Sequence, residues 1–148
     1  MQNLSPLKRE KVNWLERTEL LIKEEGIQKL QNARVLIVGL GGVGGAAAEF
    51  ITRAGIGNLT IVDGDVVSLT NINRQLPALH STIGKPKTEV VAERLLDINP
   101  ALNLTVINEF LSPERAWDIV TPDYDYVIDC IDSITPKLNL ILSSKRKR

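Results

Sequence analysis

Two patterns of apolar positions alternate along this chain. Residues 34–38 (RVLIV), 59–62 (LTIV), 104–107 (LTVI) and 126–131 (YVIDCI) are short runs rich in β-branched side chains. The first has no polar alternation, which suits a strand covered on both faces in a parallel sheet. Between these runs the apolar positions recur at helical spacing. Val90, Val91, Leu95 and Ile98 fall on one side of a helix over residues 87–98. Residues 13–30, 46–51, 114–120 and 135 to the end also read as helical. Gly55 is placed to end the second helix, and Asn99-Pro100 stops the third. Ser112-Pro113 and Thr135-Pro136 each offer a hydroxyl cap followed by a first-turn proline. Gly26 is expected to interrupt or end the first helix, in which Trp14, Leu15, Leu21, Ile22, Ile27 and Leu30 are available for packing. Residues 1–12 are polar and are expected to form a flexible N-terminal segment. Residues 64–85 form a long polar connection. The alternation predicts a Rossmann-like three-layer α/β fold over residues 13–148, with a mainly parallel sheet, right-handed crossovers and an N-terminal helix.

Onto this frame fall the residues that carry chemistry. Gly39-Leu40-Gly41-Gly42-Val43-Gly44 fits the pattern G-x-G-x-x-G directly after a strand and opens a helix. The first glycine permits a tight turn, the second lets backbone approach a phosphate, and the third lets helix and strand pack closely. Amide N–H groups at the helix start then face the anion. Asp63 follows the second strand, where a carboxylate can accept from both ribose hydroxyls. Asp63-Gly64-Asp65 is also ordinary turn chemistry. Up to Asp63 a nicotinamide-dependent oxidoreductase fits as well as an ATP enzyme. The next segment separates them. It runs through Asp65, Asn71, Arg74 and Gln75 to Gly84-Lys85-Pro86-Lys87, and sets an amide, a guanidinium and two ammonium groups near the phosphate end. A triphosphate carries more charge than a dinucleotide pyrophosphate, and displacing pyrophosphate calls for cations on the developing charge.

Composition narrows the partners without adding a site. The 148 residues suffice for one domain; 18 acidic and 18 basic side chains cancel, so no global field points to nucleic acid or membrane. The one dense charge run, residues 145–148, reads as the solvated last turn of a helix. No apolar run approaches the roughly 20 residues that span a bilayer. A soluble, cytoplasmic protein is the expectation. The single cysteine, Cys130, sits in a strand pattern and reads as a small core residue. His80, the only histidine, reads as a loop residue, and Trp14 and Trp117 as helix-packing residues.

The joint pattern of Val38–Gly44, Asp63-Gly64-Asp65, Asn71-Ile72-Asn73-Arg74-Gln75 and Gly84-Lys85-Pro86-Lys87 resembles the ThiF-like superfamily, which includes the adenylating domains of ubiquitin-activating enzymes. The resemblance runs from about Arg17 to the C-terminus. It implies an ATP- and Mg2+-dependent adenylating enzyme, commonly a homodimer. It further implies that Gly39, Gly41, Gly42 and Gly44 cradle the nucleotide, that Asp63 holds the ribose, and that Asn71, Arg74 and Lys87 contact phosphates. Asp65 and Gln75 belong to the same constellation. Asp132 would sit near Mg2+ or the reacting phosphate, and Arg17 would reach the partner subunit's phosphates. Residues 126–133, Pro136-Lys137, Ala92-Glu93-Arg94 and Ile98-Asn99-Pro100 look like the tRNA threonylcarbamoyladenosine dehydratase branch, which implies a modified tRNA as substrate. The alternative within the superfamily is the C-terminal glycine of a ubiquitin-like sulfur carrier. Four strands are few for this fold and family members continue further, so a chain truncated at its C-terminus is expected.

Overall fold

The computed structural model describes residues 13–121 and 123–146. The expectations for residues 1–12 and for the last two basic residues lie outside them. The elements follow in the order α1 (Glu16–Asn32), β1 (Arg34–Val38), α2 (Gly42–Arg53), β2 (Asn58–Val62), α3 (Lys87–Ile98), β3 (Asn103–Ile107), α4 (Pro113–Ile119), β4 (Tyr126–Asp129) and α5 (Ile134–Arg146). All strand pairings are parallel and the sheet order is β3-β2-β1-β4. The chain builds outward from β1 through β2 to β3, then returns to the other side of β1. Such a reversal point opens a crevice at the carboxyl ends of the strands, where α/β sheets bind ligands.

Alternate side chains of the central strands feed two separate cores. Val35, Ile37, Leu59 and Ile61 pack with Ala48 of α2 and with Val91 and Leu95 of α3. Leu36, Val38 and Val62 point the other way, onto Ile119 of α4 and Leu140 of α5. This is why RVLIV has no polar alternation: both faces are covered, and each buried aliphatic side chain contributes about 1.5–3 kcal/mol. The three-layer Rossmann-like expectation holds. The outer strand β3 is largely exposed, with Asn103, Thr105 and Val106 open.

Local details depart from the sequence reading in four places. The first helix is interrupted at Lys23, not at Gly26. Lys23 takes φ 64° and ψ 171°, a conformation that costs a side-chain-bearing residue about 1–3 kcal/mol. Gly26 lies within the continuing helix, where Ile22 packs so closely that an added Cβ would approach Ile22 Cβ to 2.7 Å. Leu15 and Ile27 are buried as expected, but Leu21 is exposed and Trp14 half exposed. β4 ends at Asp129, because the backbone must turn after it; Asp129 Oδ1 accepts from the Ile131 N–H at 3.0 Å. α5 begins at Ile134, so Thr135 and Pro136 lie inside its first turn and Thr135 is not the cap. By contrast Ser112 caps α4 as expected, accepting from the Arg115 N–H at 3.2 Å.

Candidate functional site

A cleft of about 570 Å³ opens at the carboxyl ends of the four strands. Its floor is the loop after β1. Gly39 has φ +92°, and a Cβ there would meet the Cys130 carbonyl at 2.6 Å, so the position requires glycine. A Cβ at Gly44 would fall 1.7 Å from the Gly39 carbonyl and 3.0 Å from Cys130 Cβ. Gly44 therefore serves helix–strand packing and lies beneath the cleft. Gly41 and Gly42 line it directly. No side chain caps α2, whose N-terminus at Gly42 faces the same space. Uncapped N–H groups and the helix dipole favour an anion there.

Around this floor the structure gathers Asp63, Asp65, Asn71, Arg74, Gln75, Lys87 and Asp132. Asp63 is engaged by the glycine loop as well as by its own turn. Its Oδ2 accepts from the Leu40 N–H at 2.6 Å and its Oδ1 from the Asp65 N–H at 2.7 Å. Each oxygen keeps a lone pair for a further donor. Asn71 is buried; its Oδ1 accepts from the Ser68 N–H at 3.1 Å, which leaves the amide nitrogen to donate. Arg74 is exposed. One guanidinium nitrogen donates to the Thr70 carbonyl and to Asn73 Oδ1, each at 2.9 Å, and the rest of the fork is open to the cleft. Gln75 is buried and its Oε1 has no hydrogen-bond partner within the protein.

Lys87 arrives by way of the long connection. Val66 bridges Pro86 in antiparallel fashion, the Lys87 N–H donates to the Asp65 carbonyl at 3.0 Å, and the Lys87 ammonium lies 2.9 Å from Asp65 Oδ2. A buried cation is thereby held at the cleft wall. Asp132 lies in the turn between β4 and α5, exposed, at the opposite wall. That turn is braced by Lys137, whose ammonium lies 2.7 Å from Asp129 Oδ2. Arg17 is exposed on α1 and does not line the cleft of its own chain.

Among the described residues, no group of three or more His, Cys, Asp or Glu side chains could hold a metal ion. Asp132 lines the cleft as an exposed carboxylate. A carboxylate of this kind could hold a Mg2+ ion that takes its other ligands from phosphate oxygens and water. Cys130 lines the cleft and also packs against the α2–α3 core. Burial raises its thiol pKa, and the Asp129 carboxylate raises it further. A thiol held protonated is a poor nucleophile, consistent with a core residue. His80 is exposed and outside the cleft.

Sequence reasoning missed Glu109, Phe110 and Leu111, which follow β3 and form the far wall. No motif marks them. The usable signal was positional: they sit just beyond the carboxyl end of a strand next to β2, where this topology places ligand contacts.

The fold and cleft define a Rossmann-type α/β domain with a cleft at the carboxyl ends of its parallel strands. Residues 15–142 match the ThiF family, and the chain belongs to that family. It is 45% identical over 128 residues to the tRNA threonylcarbamoyladenosine dehydratase of Haemophilus influenzae, covering 86% of this chain and 49% of that protein. It is 42% identical over 110 residues to the molybdopterin-synthase adenylyltransferase of the same organism, covering 74% of this chain and 45% of that protein. Among solved structures, the E. coli tRNA N6-threonylcarbamoyladenosine dehydratase in complex with ATP superposes with a TM-score of 0.85 at 43% identity. That match covers 88% of this chain and 54% of the E. coli one. The chain thus spans about half the length of the curated relatives it matches. Among the described residues, no helix is long and apolar enough to cross a membrane.

Proposed function

We propose that this chain binds ATP in the cleft and forms the nucleotide-binding part of an enzyme that activates a carboxylate by adenylylation. The observation that carries the reading is that Arg74, buried Lys87 and the uncapped start of α2 all line the same cleft. Asp63 accepts from the ribose hydroxyls. Asn71, Arg74 and Lys87 engage the phosphates, and Gln75 presents its free amide oxygen to a donor in the same cleft. Asp132 holds Mg2+, which when bound neutralises charge on the phosphates. A carboxylate oxygen attacks the α-phosphorus, the bond to the bridging oxygen breaks, and pyrophosphate leaves. Arg74 and Lys87 stabilise that departing charge.

The substrate we propose is the threonylcarbamoyl carboxylate of a modified tRNA. Once adenylylated, it closes into a ring and expels AMP, with net loss of water. The 45% identity to a tRNA threonylcarbamoyladenosine dehydratase supports this choice. The 42% identity to a molybdopterin-synthase adenylyltransferase supports a second reading, adenylylation of the C-terminal glycine of a ubiquitin-like sulfur carrier. Both reactions share the nucleotide site. We place the enzyme in the cytoplasm as a homodimer.

The test is calorimetric titration of this chain with ATP and with NAD, each with and without Mg2+. ATP binds more tightly, and Mg2+ strengthens it. Tighter binding of NAD, indifferent to Mg2+, overturns the reading and restores the oxidoreductase alternative. ATP–pyrophosphate exchange stimulated by modified tRNA rather than by a sulfur carrier separates the two substrates in a chain of the relatives' full length.

A further inference from the structure

We propose that Lys137 is a positioning residue for Asp132: paired with Asp129 behind the cleft, it sets the turn between β4 and α5 so that the Asp132 carboxylate can hold Mg2+. This deepens the ATP reading and rests on it, Asp132 being the residue given to Mg2+ there. Neither member of the pair lines the cleft at the strand ends. Asp129 closes β4 in register with Val38, and it borders a separate cavity of about 340 Å³ on the far side, beside Val127 and Leu140. Its Oδ2 accepts from the Lys137 ammonium at 2.7 Å and its Oδ1 from the Ile131 N–H at 3.0 Å. Lys137 also donates its backbone N–H to the Ser133 carbonyl at 3.3 Å. One ion pair thus grips the two residues that flank Asp132.

Stability does not account for a lysine at this place. Lys137 falls in the opening turn of α5, where the helix dipole disfavours a cation. The side chains of Lys137 and Asp129 are 38% and 19% exposed, and an ion pair this open to water adds little to folding. What the pair does is local. Before Asp132 the main chain fixes the turn: the Cys130 N–H donates to the Val38 carbonyl at 2.9 Å, and a Cβ at Gly39 would lie 2.6 Å from the Cys130 carbonyl. From Ile131 onward the Asp129 carboxylate and the start of α5 take over that task, and Lys137 joins the two. Groups that orient a metal ligand from behind are worth about ten- to hundredfold in metal affinity. The ion pair therefore tunes how strongly Mg2+ is held without touching the nucleotide.

The experiment measures, by calorimetry, the ratio of ATP affinity with Mg2+ to that without it, together with metal-free AMP affinity and the urea midpoint. Lys137→Met lowers the ratio by about tenfold and leaves metal-free ATP and AMP binding and the urea midpoint close to wild type. Asp129→Asn reproduces the loss. Lys137→Arg, which can still pair with Asp129, restores the ratio. In an Asp132→Ala background, Lys137→Met changes the ratio no further. A wild-type ratio in Lys137→Met overturns this proposal alone. So does a loss of metal-free ATP and AMP binding in step with the urea midpoint, which marks a merely structural pair. A further fall of the ratio in the Asp132→Ala background overturns it too, since Lys137 then acts apart from Asp132. A wild-type chain whose ATP affinity ignores Mg2+ overturns the Mg2+ assignment and the proposal with it. One that binds no ATP overturns the ATP reading itself.

Discussion

The ammonium of Lys87 is buried and lies 2.9 Å from the carboxylate of Asp65, whose own side chain is 53% exposed. The pair is lopsided: the cation cannot reach bulk water, while its partner can. A phosphate entering the cleft can share or replace Asp65 as the counter-ion, because Lys87 and Asp65 both line it. Asp65→Asn should therefore destabilise the empty protein by about 1–3 kcal/mol, the cost of leaving a buried charge short of its partner, discounted for the exposed side. ATP should return much of that loss, so it raises the melting temperature of Asp65→Asn by more than that of the wild type. Thermal unfolding with and without ATP measures both. An ATP-induced rise no larger than the wild type's removes Asp65 as the resting partner of Lys87.

The glycines of the loop divide by what lies behind them. A Cβ at Gly41 would find only Gln75 Nε2, at 3.7 Å, whereas one at Gly44 would collide with the Gly39 carbonyl at 1.7 Å. Gly41→Ala should fold with a urea midpoint close to wild type and lose ATP affinity, because the methyl occupies ligand space. Gly44→Ala should be strongly destabilised, by at least about 3 kcal/mol, since backbone and not a flexible side chain must move. If Gly41→Ala binds ATP normally, the nucleotide does not approach that backbone.

The frame was legible because each level of the sequence agreed with the next. RVLIV is apolar throughout because the sheet is covered on both faces, and the glycine pattern follows it at once. Asp63 was found by its spacing from that loop. The rest depended on contacts far apart in sequence. Nothing in the local composition says that Lys87 is buried against Asp65, 22 residues away, because the pairing is made by the Val66–Pro86 bridge. Phe110 carries no motif and gains its place only from the register of β3 beside β2. The break at Lys23 escaped notice because glycine is the usual permissive residue, yet here Gly26 accommodates Ile22 and the lysine takes the unusual backbone.

Away from the cleft, Glu49 ties the two helices that cover one face of the sheet. Its carboxylate, nearly buried on α2, accepts from Arg94 of α3, with Nη2–Oε1 at 3.0 Å, and from Arg53 one turn on. The Arg94 hydrogen bond holds the Glu49 pKa below its ordinary value of 4.5, against the opposing effect of burial, and Arg53 adds to the lowering. A carboxylate depressed by folding stabilises the protein above its unfolded pKa. That contribution is lost as pH falls through the lower, folded value. Glu49→Gln should thus cost about 1–3 kcal/mol at neutral pH. The gap to wild type should shrink below about pH 4, where the unfolded carboxylate already binds a proton. Urea midpoints of both proteins at neutral pH and near pH 3 provide the comparison; a gap that stays constant contradicts the charged pairing.

Arg17 remains to be accounted for, since it is exposed and does not line the cleft at the strand ends of its own chain. It sits on the part of α1 before the break at Lys23, beside Leu20 and Leu21, which are 64% and 82% exposed. Two uncovered leucines flanking an arginine suit a surface that packs on another copy, where one patch serves both subunits. The planar guanidinium stays charged and grips phosphate oxygens in a fixed fork. We propose that this arm carries Arg17 into the partner's cleft. Arg17→Ala should then dimerise like wild type in sedimentation yet bind ATP several-fold more weakly. Lys87→Ala should also bind weakly by itself. Mixed dimers of the two variants decide the matter. If Arg17 acts across the interface, the subunit lacking its own Arg17 keeps Lys87 and receives the partner's Arg17, so half the sites recover tight binding. If Arg17 serves its own chain, every site in the mixture lacks one of the two cations, and no tight site appears however many mixed dimers form.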